Sequence, residues 1–261
     1  MAIIFDYTFD GIECAQLDNA NTQDPDPARS DVSRSNDNVT DNGRGWEITT
    51  AANYSGGGGG NGFRHWRGDG TGNACSGGIT ITLPGSYTEL WLRWYMRYQS
   101  GFTWVNNDPG YTKDIYGSEH VNYWIYGIQN DGWGVSDISS ANHDGVSGPG
   151  ASFTWADLMG GTTGDGQWHC HEFHINRAGA GAGVIEVWID DDWKFTETGL
   201  TLHTDAMSSF RIGSNQSEPT GAGAADYYTD YDDIAVSDSG RVGPLSGGST
   251  PKRGSSVGGL G

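Results

Sequence analysis

Apolar and polar residues alternate along this chain over short runs, and clusters of glycine, asparagine, aspartate and proline break each run. This pattern constrains the fold more than any motif does. A two-residue period suits half-buried strands, and no stretch carries the period of an amphipathic helix. The clearest expected strands are Ile3–Phe9, Gly78–Leu83, Glu89–Gln99, Val121–Gln129, Gln167–Asn176, Gly183–Asp190, Met207–Gly213 and Asp232–Val236. A single helical turn is expected at Phe153–Met159, with Thr154 as its N-cap. Strands at this density without helical spacers imply an all-β, antiparallel jelly-roll sandwich. Three segments fall outside the pattern: the polar excursion Leu17–Gly45, the glycine run Gly56–Gly60, and the Gly/Ser/Pro-rich stretch from Leu245. The economical organisation is one domain over residues 1–244 followed by a flexible arm over 245–261, with no internal repeat.

Composition narrows the partners. Glycine supplies 43 of 261 residues, yet 11 Trp and 12 Tyr are far more than a disordered acidic chain would carry, so most of the chain should fold. The 33 acidic against 14 basic side chains give a net charge of -19, which repels phosphate and argues against nucleic acid and anionic membranes. No apolar run reaches the roughly 20 residues that would insert across a bilayer. The opening Met-Ala-Ile-Ile-Phe-Asp-Tyr has no basic or apolar leader region, so no secretory signal is expected there. Cys14, Cys75 and Cys170 are an odd number without a CxxC pair, which allows at most one disulfide and disfavours zinc.

Alternation also sorts side chains by face. In Glu89–Gln99, Leu90, Leu92, Trp94, Met96 and Tyr98 share a core-like face, leaving Trp91, Arg93, Tyr95 and Arg97 on the other. Asn122, Trp124 and Tyr126 share a face opposite Val121, Tyr123 and Ile125. Ile185, Val187 and Ile189 read inward, against Glu186 and Trp188. In the His-rich strand we expect Phe173 and Ile175 inward, with Glu172 and His174 outward. On adjacent strands these outward residues would form one wall of Arg93, Tyr95, Arg97, Asn122, Trp124, Tyr126, Glu172, His174 and Glu186. Flat rings would meet the C–H face of a sugar, and guanidinium, amide and carboxylate groups its hydroxyls. The competing reading is a second buried layer, with Arg93 paired to Glu186 beneath a loop.

The stretch QWHCHEFHINRAGAGAGVIEVWIDDDWKF from Gln167, the later YDDIAVS, and the opening FDYTFDG together resemble the concanavalin A-like lectin/glucanase (laminin-G-like jelly-roll) superfamily. That resemblance covers mainly Gln167–Gly243. It implies a jelly roll whose first and last strands are neighbours, in a superfamily of lectins, carbohydrate-binding modules, lyases, hydrolases and phage structural domains. Function must then be argued from the site.

Related retaining glucanases carry E-x-D-x-E or E-x-D-x-x-E on one strand, and that motif is absent here. Glu186 and Asp190, four positions apart, would lie about 13 Å from each other, against the roughly 5–5.5 Å a retaining pair needs. Glu172 and Glu186 on neighbouring strands are the remaining carboxylate pair. The usage of Tyr, His and Arg resembles that of jelly-roll lyases. Arg93 or Arg97 with Asn122 would neutralise a uronate, and Tyr95, Tyr126 or His174 would serve as acid and base. His169 and His171 share a face that His174 leaves, so no three-imidazole site forms on the strand. The resemblance also implies a structural calcium between the first and last strands, held by Asp6, Asp10, Asp232 and Asp233. Asp190-Asp191-Asp192 reads instead as a β-turn.

The expected function is a non-catalytic glycan-binding or particle-surface structural protein, on a phage virion for example. Its location would be extracellular or on the virion surface. Its partners would be a polysaccharide or cell-surface glycan and, through the C-terminal tail, other subunits. A polysaccharide lyase acting on an acidic glycan and a purely architectural subunit-binding domain are the alternatives.

Overall fold

Alternation becomes two stacked antiparallel sheets in the computed structural model. It describes residues 2–10, 26, 28–35, 46–57, 59–66, 78–102, 111–117, 122–129, 132–139, 153–154, 164–202, 204–213 and 228–246; the side chains of 34–35, 111–113, 122–129, 132–139, 153–154 and 195 lie outside the described set. The strands in chain order begin with β1 (Ile3–Tyr7), β2 (Val32–Ser35), β3 (Trp46–Thr49), β4 (Gly62–Trp66), β5 (Gly78–Tyr87), β6 (Glu89–Tyr98), β7 (Tyr111–Gly117) and β8 (Asn122–Gln129). They continue with β9 (Gly132–Ser139), β10 (Phe153–Thr154), β11 (His169–Asn176), β12 (Gly183–Ile189), β13 (Asp192–Leu200), β14 (Met207–Ile212) and β15 (Tyr228–Ser237). The first sheet runs β13-β12-β11-β6-β15-β4-β3, with β1 also on β15; the second runs β10-β9-β8-β7-β14-β5-β2. This is the jelly-roll sandwich, with first and last strands paired through Asp6 opposite Ala235 and Tyr7 opposite Ile234.

The core lies between the sheets. Leu90, Leu92, Trp94, Met96 and Tyr98 of β6 meet Phe173 and Ile175 of β11, Ile185, Val187 and Ile189 of β12, and Ile79, Ile81, Phe210 and Ile212 of the second sheet. Each such side chain contributes about 1.5–3 kcal/mol by leaving water. A register shift in β7 beside Asp114 accompanies a carboxylate placed in the interior. There Asp114 accepts hydrogen bonds from the Tyr98 and Tyr231 hydroxyls at 3.1 and 3.0 Å, tying the two sheets together.

Several expectations change. Phe153–Thr154 is a short strand on β9, because sheet pairing gives its backbone the partners that an isolated helical turn lacks; residues 155–159 lie outside the described set. The polar excursion supplies β2, whose Val32 is buried opposite Ile81. The glycine run is packed at Gly57 and Gly59, while Gly60 faces open space. A Cβ on Gly57 would fall 1.5 Å from Asp233 Oδ2, and one on Gly59 would fall 2.1 Å from Asp10 Oδ1. Asp190 and Asp191 form the two-residue turn between β12 and β13, with φ of 54° and 69°, the conformation of a type I′ hairpin.

Candidate functional site

The outward face of the first sheet is built from four cross-strand rows. In the first, Trp91, His174, Glu186 and Thr196 stand side by side on β6, β11, β12 and β13. The second sets Arg93, Glu172, Trp188 and Trp193 across the same strands. The third joins Asp232, Tyr95 and Cys170, and the fourth joins Glu47, Arg64, Asp230 and Arg97. Arg93, Tyr95, Arg97, Glu172, His174 and Glu186 therefore do share one face. Asn122, Trp124 and Tyr126 do not join them, because β8 runs in the second sheet, where Tyr126 stands opposite Ile115 and Trp124 opposite Asp137. The side chains of these three lie outside the described set.

One end of this face is roofed by the chain itself. The segment after the 3₁₀ turn Thr50–Ala52 lays Tyr54 on Tyr95, ring centroids 3.8 Å apart and nearly parallel. A C-terminal strap, Arg241–Ser246, crosses beside it. The Leu245 N–H donates to the Tyr95 hydroxyl at 2.9 Å, and Leu245 packs against the Tyr54–Tyr95–Cys170 cluster, so the expected arm is docked at its first residue. Residues 247–261 lie outside the described set. Glu172, 1% exposed, accepts from Arg241 Nε at 2.8 Å and from the N–H groups of Val242 and Gly243. Arg241 also reaches Asp191 at 2.6 Å. Asp230, fully buried, takes both Arg64 and Arg97, and Arg97 further donates to the Ala51 carbonyl and lies over the Trp168 ring.

Of the expected lyase set, Tyr95 is 0% and Arg93 5% exposed. Burial, reinforced by neighbouring Cys170, raises the Tyr95 phenol well above its ordinary range, and burial pushes the Cys170 thiol up to about 12. The expected Arg93–Glu186 pair is replaced. Arg93 stands opposite Glu172, its guanidinium 5.5 Å from the Tyr95 ring centroid, while Glu186 bonds His174 and Thr196.

The other end is open. The His174 ring stacks on Trp91 at 4.0 Å and 5°, with Nδ1 2.7 Å from Glu186 and Nε2 3.0 Å from Glu89. Thr196 Oγ1 donates to Glu186 at 3.0 Å and accepts from Trp193 Nε1 at 2.9 Å. Trp193 is 59% exposed. The Arg241 guanidinium sits 4.6 Å from the centre of the half-buried Trp188 ring. Sequence reasoning missed Trp193, Thr196, Tyr54 and Arg241. The first two follow from recognising Ile-Asp-Asp-Asp-Trp as a strand, a two-residue turn and a returning strand; no local pattern marks Tyr54 or Arg241 as roofing residues.

His169 and His171 face inward with Phe173 and Ile175. Burial opposes charge on His169, but hydrogen bonds to Asp165 at 3.1 Å and Asp190 at 2.6 Å outweigh it and lift its pKa to about 9. His171 stacks on Trp94 at 5.4 Å, and burial holds it well below the ordinary histidine range.

The expected calcium residues divide. Asp6 is exposed on β1. Asp10 accepts from Thr8 Oγ1 at 2.7 Å and from the Gly60 N–H. Asp232 accepts from Tyr54 N–H at 2.7 Å and Asp233 N–H at 2.8 Å. Asp233 sits at a register shift of β15 with φ of 47°, and its Oδ2 is buried with no hydrogen-bond partner among the described residues. Burial raises Asp232 to about 8 and Asp233 to about 6; nearby Asp10 adds to both, and Arg93 partly offsets the effect on Asp233. No group of three or more His, Cys, Asp or Glu side chains among the described residues is arranged to hold a metal. The orphaned Asp233 oxygen beside Asp10 nevertheless fits a hard cation.

No family model matches the chain, and no curated protein matches it. Among solved structures it is similar to the cellulose-induced protein Cip1, with TM-score 0.55 and 14% identity over 82% of this chain and 94% of that one. A mutant of HCR/D gives TM-score 0.50 and 12% identity over 94% of this chain and 50% of that one. An endo-β-1,4-glucuronan lyase from the fungus Trichoderma reesei gives 0.49 and 12% over 77% and 90%. At these identities, the likeness to Cip1 and HCR/D is one of fold.

Proposed function

We propose that this chain is a non-catalytic glycan-binding β-sandwich of the concanavalin A-like kind, working on a cell or particle surface. One observation carries the reading. The polar and aromatic face of the first sheet is closed by the chain's own strap over Tyr95 and Glu172, with Arg241 reaching across to the half-buried Trp188 ring, and left open where Trp193 and Glu186 stand. Aromatic rings beside carboxylate and hydroxyl groups suit recognition of a sugar. A phenol sealed under Leu245 is badly placed to move a substrate proton. The test incubates the protein with neutral and uronate polysaccharides, following the absorbance of unsaturated uronates and retardation in polysaccharide gels. Retardation without a new chromophore supports the reading; a chromophore lost in Tyr95→Phe overturns it in favour of a lyase.

A structural calcium belongs to the same proposal. Asp233 and Asp10 would hold it, beside Asp232. The ion would supply positive charge to carboxylates that burial otherwise drives toward protonation. Adding calcium should raise the melting temperature at pH 8, and Asp233→Asn should abolish that rise. An unchanged melting curve removes calcium from the account.

A further inference from the structure

Trp193 is one of two large apolar side chains exposed among the described residues, and it is the one whose polar atom is tethered. Its Nε1 donates to Thr196, Thr196 donates to Glu186, Glu186 meets His174, and His174 reaches Glu89 while stacking on Trp91. This relay crosses β13, β12, β11 and β6, so the exposed ring is tied through hydrogen bonds to the body of the sheet. A ring ordered in advance loses little rotamer freedom when a ligand settles on it. With Nε1 already engaged, what it offers a ligand is its apolar face. Trp188 is its cross-strand partner, but that half-buried ring already carries the Arg241 guanidinium 4.6 Å from its centre, so Trp188 flanks the exposed ring and the open apolar face is that of Trp193. β13 ends the sheet among the described residues, so a long chain can run past this ring without meeting a further described strand.

Charge selects the ligand. Arg241 is held by Glu172 and Asp191, Lys194 lies 3.5 Å from Asp192, and His174 sits between Glu89 and Glu186. Arg241 and Lys194 are each matched by carboxylates, and acids outnumber bases on a chain of net charge -19. A uronate arriving here would meet repulsion and no unmatched cation among the described residues of this edge, whereas an uncharged pyranose needs only the ring faces and hydrogen-bonding edges.

We propose that Trp193, flanked by Trp188, forms a stacking platform for an uncharged polysaccharide chain at the β12–β13 edge. This rests on the glycan-binding function proposed above and adds its contact residues and its ligand class.

The test is affinity electrophoresis of the full chain in two sets of gels. Hydroxyethylcellulose, xylan, a β-1,3-glucan and galactomannan are the neutral polymers; carboxymethylcellulose, alginate and polygalacturonate carry carboxylates. Each gel is run at about 20 mM and about 0.5 M salt, where the screening length falls from roughly 20 Å to a few ångströms. At least one neutral polymer should retard the protein equally at both salts. Trp193→Ala should weaken that retardation at least about tenfold, equivalent to about 1.4 kcal/mol, with an unchanged melting curve. Trp193→Phe, which keeps a ring but not the Nε1 bond, should retain most of it. If Trp193→Ala is retarded like the parent, the platform is wrong and the glycan reading survives. Stronger retardation by the carboxylated polymers overturns the ligand class. Absence of retardation in every gel overturns both the platform and the glycan reading.

Discussion

The two ends of the first sheet's outward face have the same kind of residues and different fates. Around Tyr95 and Glu172, rings and charges are stacked, hydrogen-bonded and roofed by Tyr54 and the Arg241–Leu245 strap. Around Trp193, a comparable set of ring, carboxylate and hydroxyl is ordered by its own relay and faces water. Alternation along β6, β11 and β12 places polar and aromatic groups outward in both regions. What separates them is chain packed from elsewhere, residues 50–57 at one side and the C-terminal strap at the other. A sheet face is therefore not a site until it is known what lies over it.

The comparison can be broken first at Glu172. Glu172→Ala strips the strap of its acceptor and leaves half-buried donors unpaired, so it should cost about 1–3 kcal/mol in a urea melt. Glycan retardation of the folded fraction should not change. A loss below about 0.5 kcal/mol would mean that the strap is not held as described.

Next in size is the pH dependence of calcium-free protein. His169, raised to about 9, contributes stability that is full below its unfolded value near 6.5 and lost as pH rises through 9. Asp233 and Asp232, raised to about 6 and about 8, likewise stabilise most below their unfolded value of 3.8 and lose that contribution as pH rises through the folded values. All three act in one direction, but the Asp233 share is largely lost by about pH 6, so His169 and Asp232 should make the melting temperature in chelator fall between pH 6 and pH 9, on the order of 5 °C. Asp232→Asn should flatten the lower part of that fall and leave the part above pH 8. A melting temperature that rises over this window contradicts the assignment.

Leu245→Ala removes a half-buried apolar contact from the roof and should cost about 1 kcal/mol. Smallest in stability is Trp193→Ala, expected within about 0.5 kcal/mol of the parent because its ring is mostly in water, although it should have the largest effect on binding. A destabilisation matching that of Glu172→Ala would erase the distinction between the two ends.

Much of the fold was legible because the core-facing residues keep a strict period. The inward set of β6, the Ile185–Val187–Ile189 stripe and the Asp190–Asp191 turn can all be read from the chain. Strands with weak or interrupted alternation were not legible: β2 inside a polar stretch, β4 with Arg64 and His65 among its apolar residues, and β13, whose register shifts beside Trp188. The wall was half legible. Alternation assigns Arg93, Tyr95, Glu172 and Glu186 to outward faces, but it is silent on which sheet receives β8. Asn122, Trp124 and Tyr126 therefore parted from the rest. The roof was illegible, because contacts between Leu245 and Tyr95, or Tyr54 and Asp232, join residues 150 and more apart without any local pattern.

The most direct measurement compares Tyr95→Phe and Trp193→Ala on the same preparations, by urea melt and by retardation in a neutral polysaccharide gel. The account predicts a crossed result: Tyr95→Phe loses about 1 kcal/mol with its hydroxyl bond to Leu245 and binds as the parent does, while Trp193→Ala keeps its stability and loses binding. Loss of glycan binding in Tyr95→Phe at full stability, with Trp193→Ala unaffected, would contradict it and make the roofed end the working one.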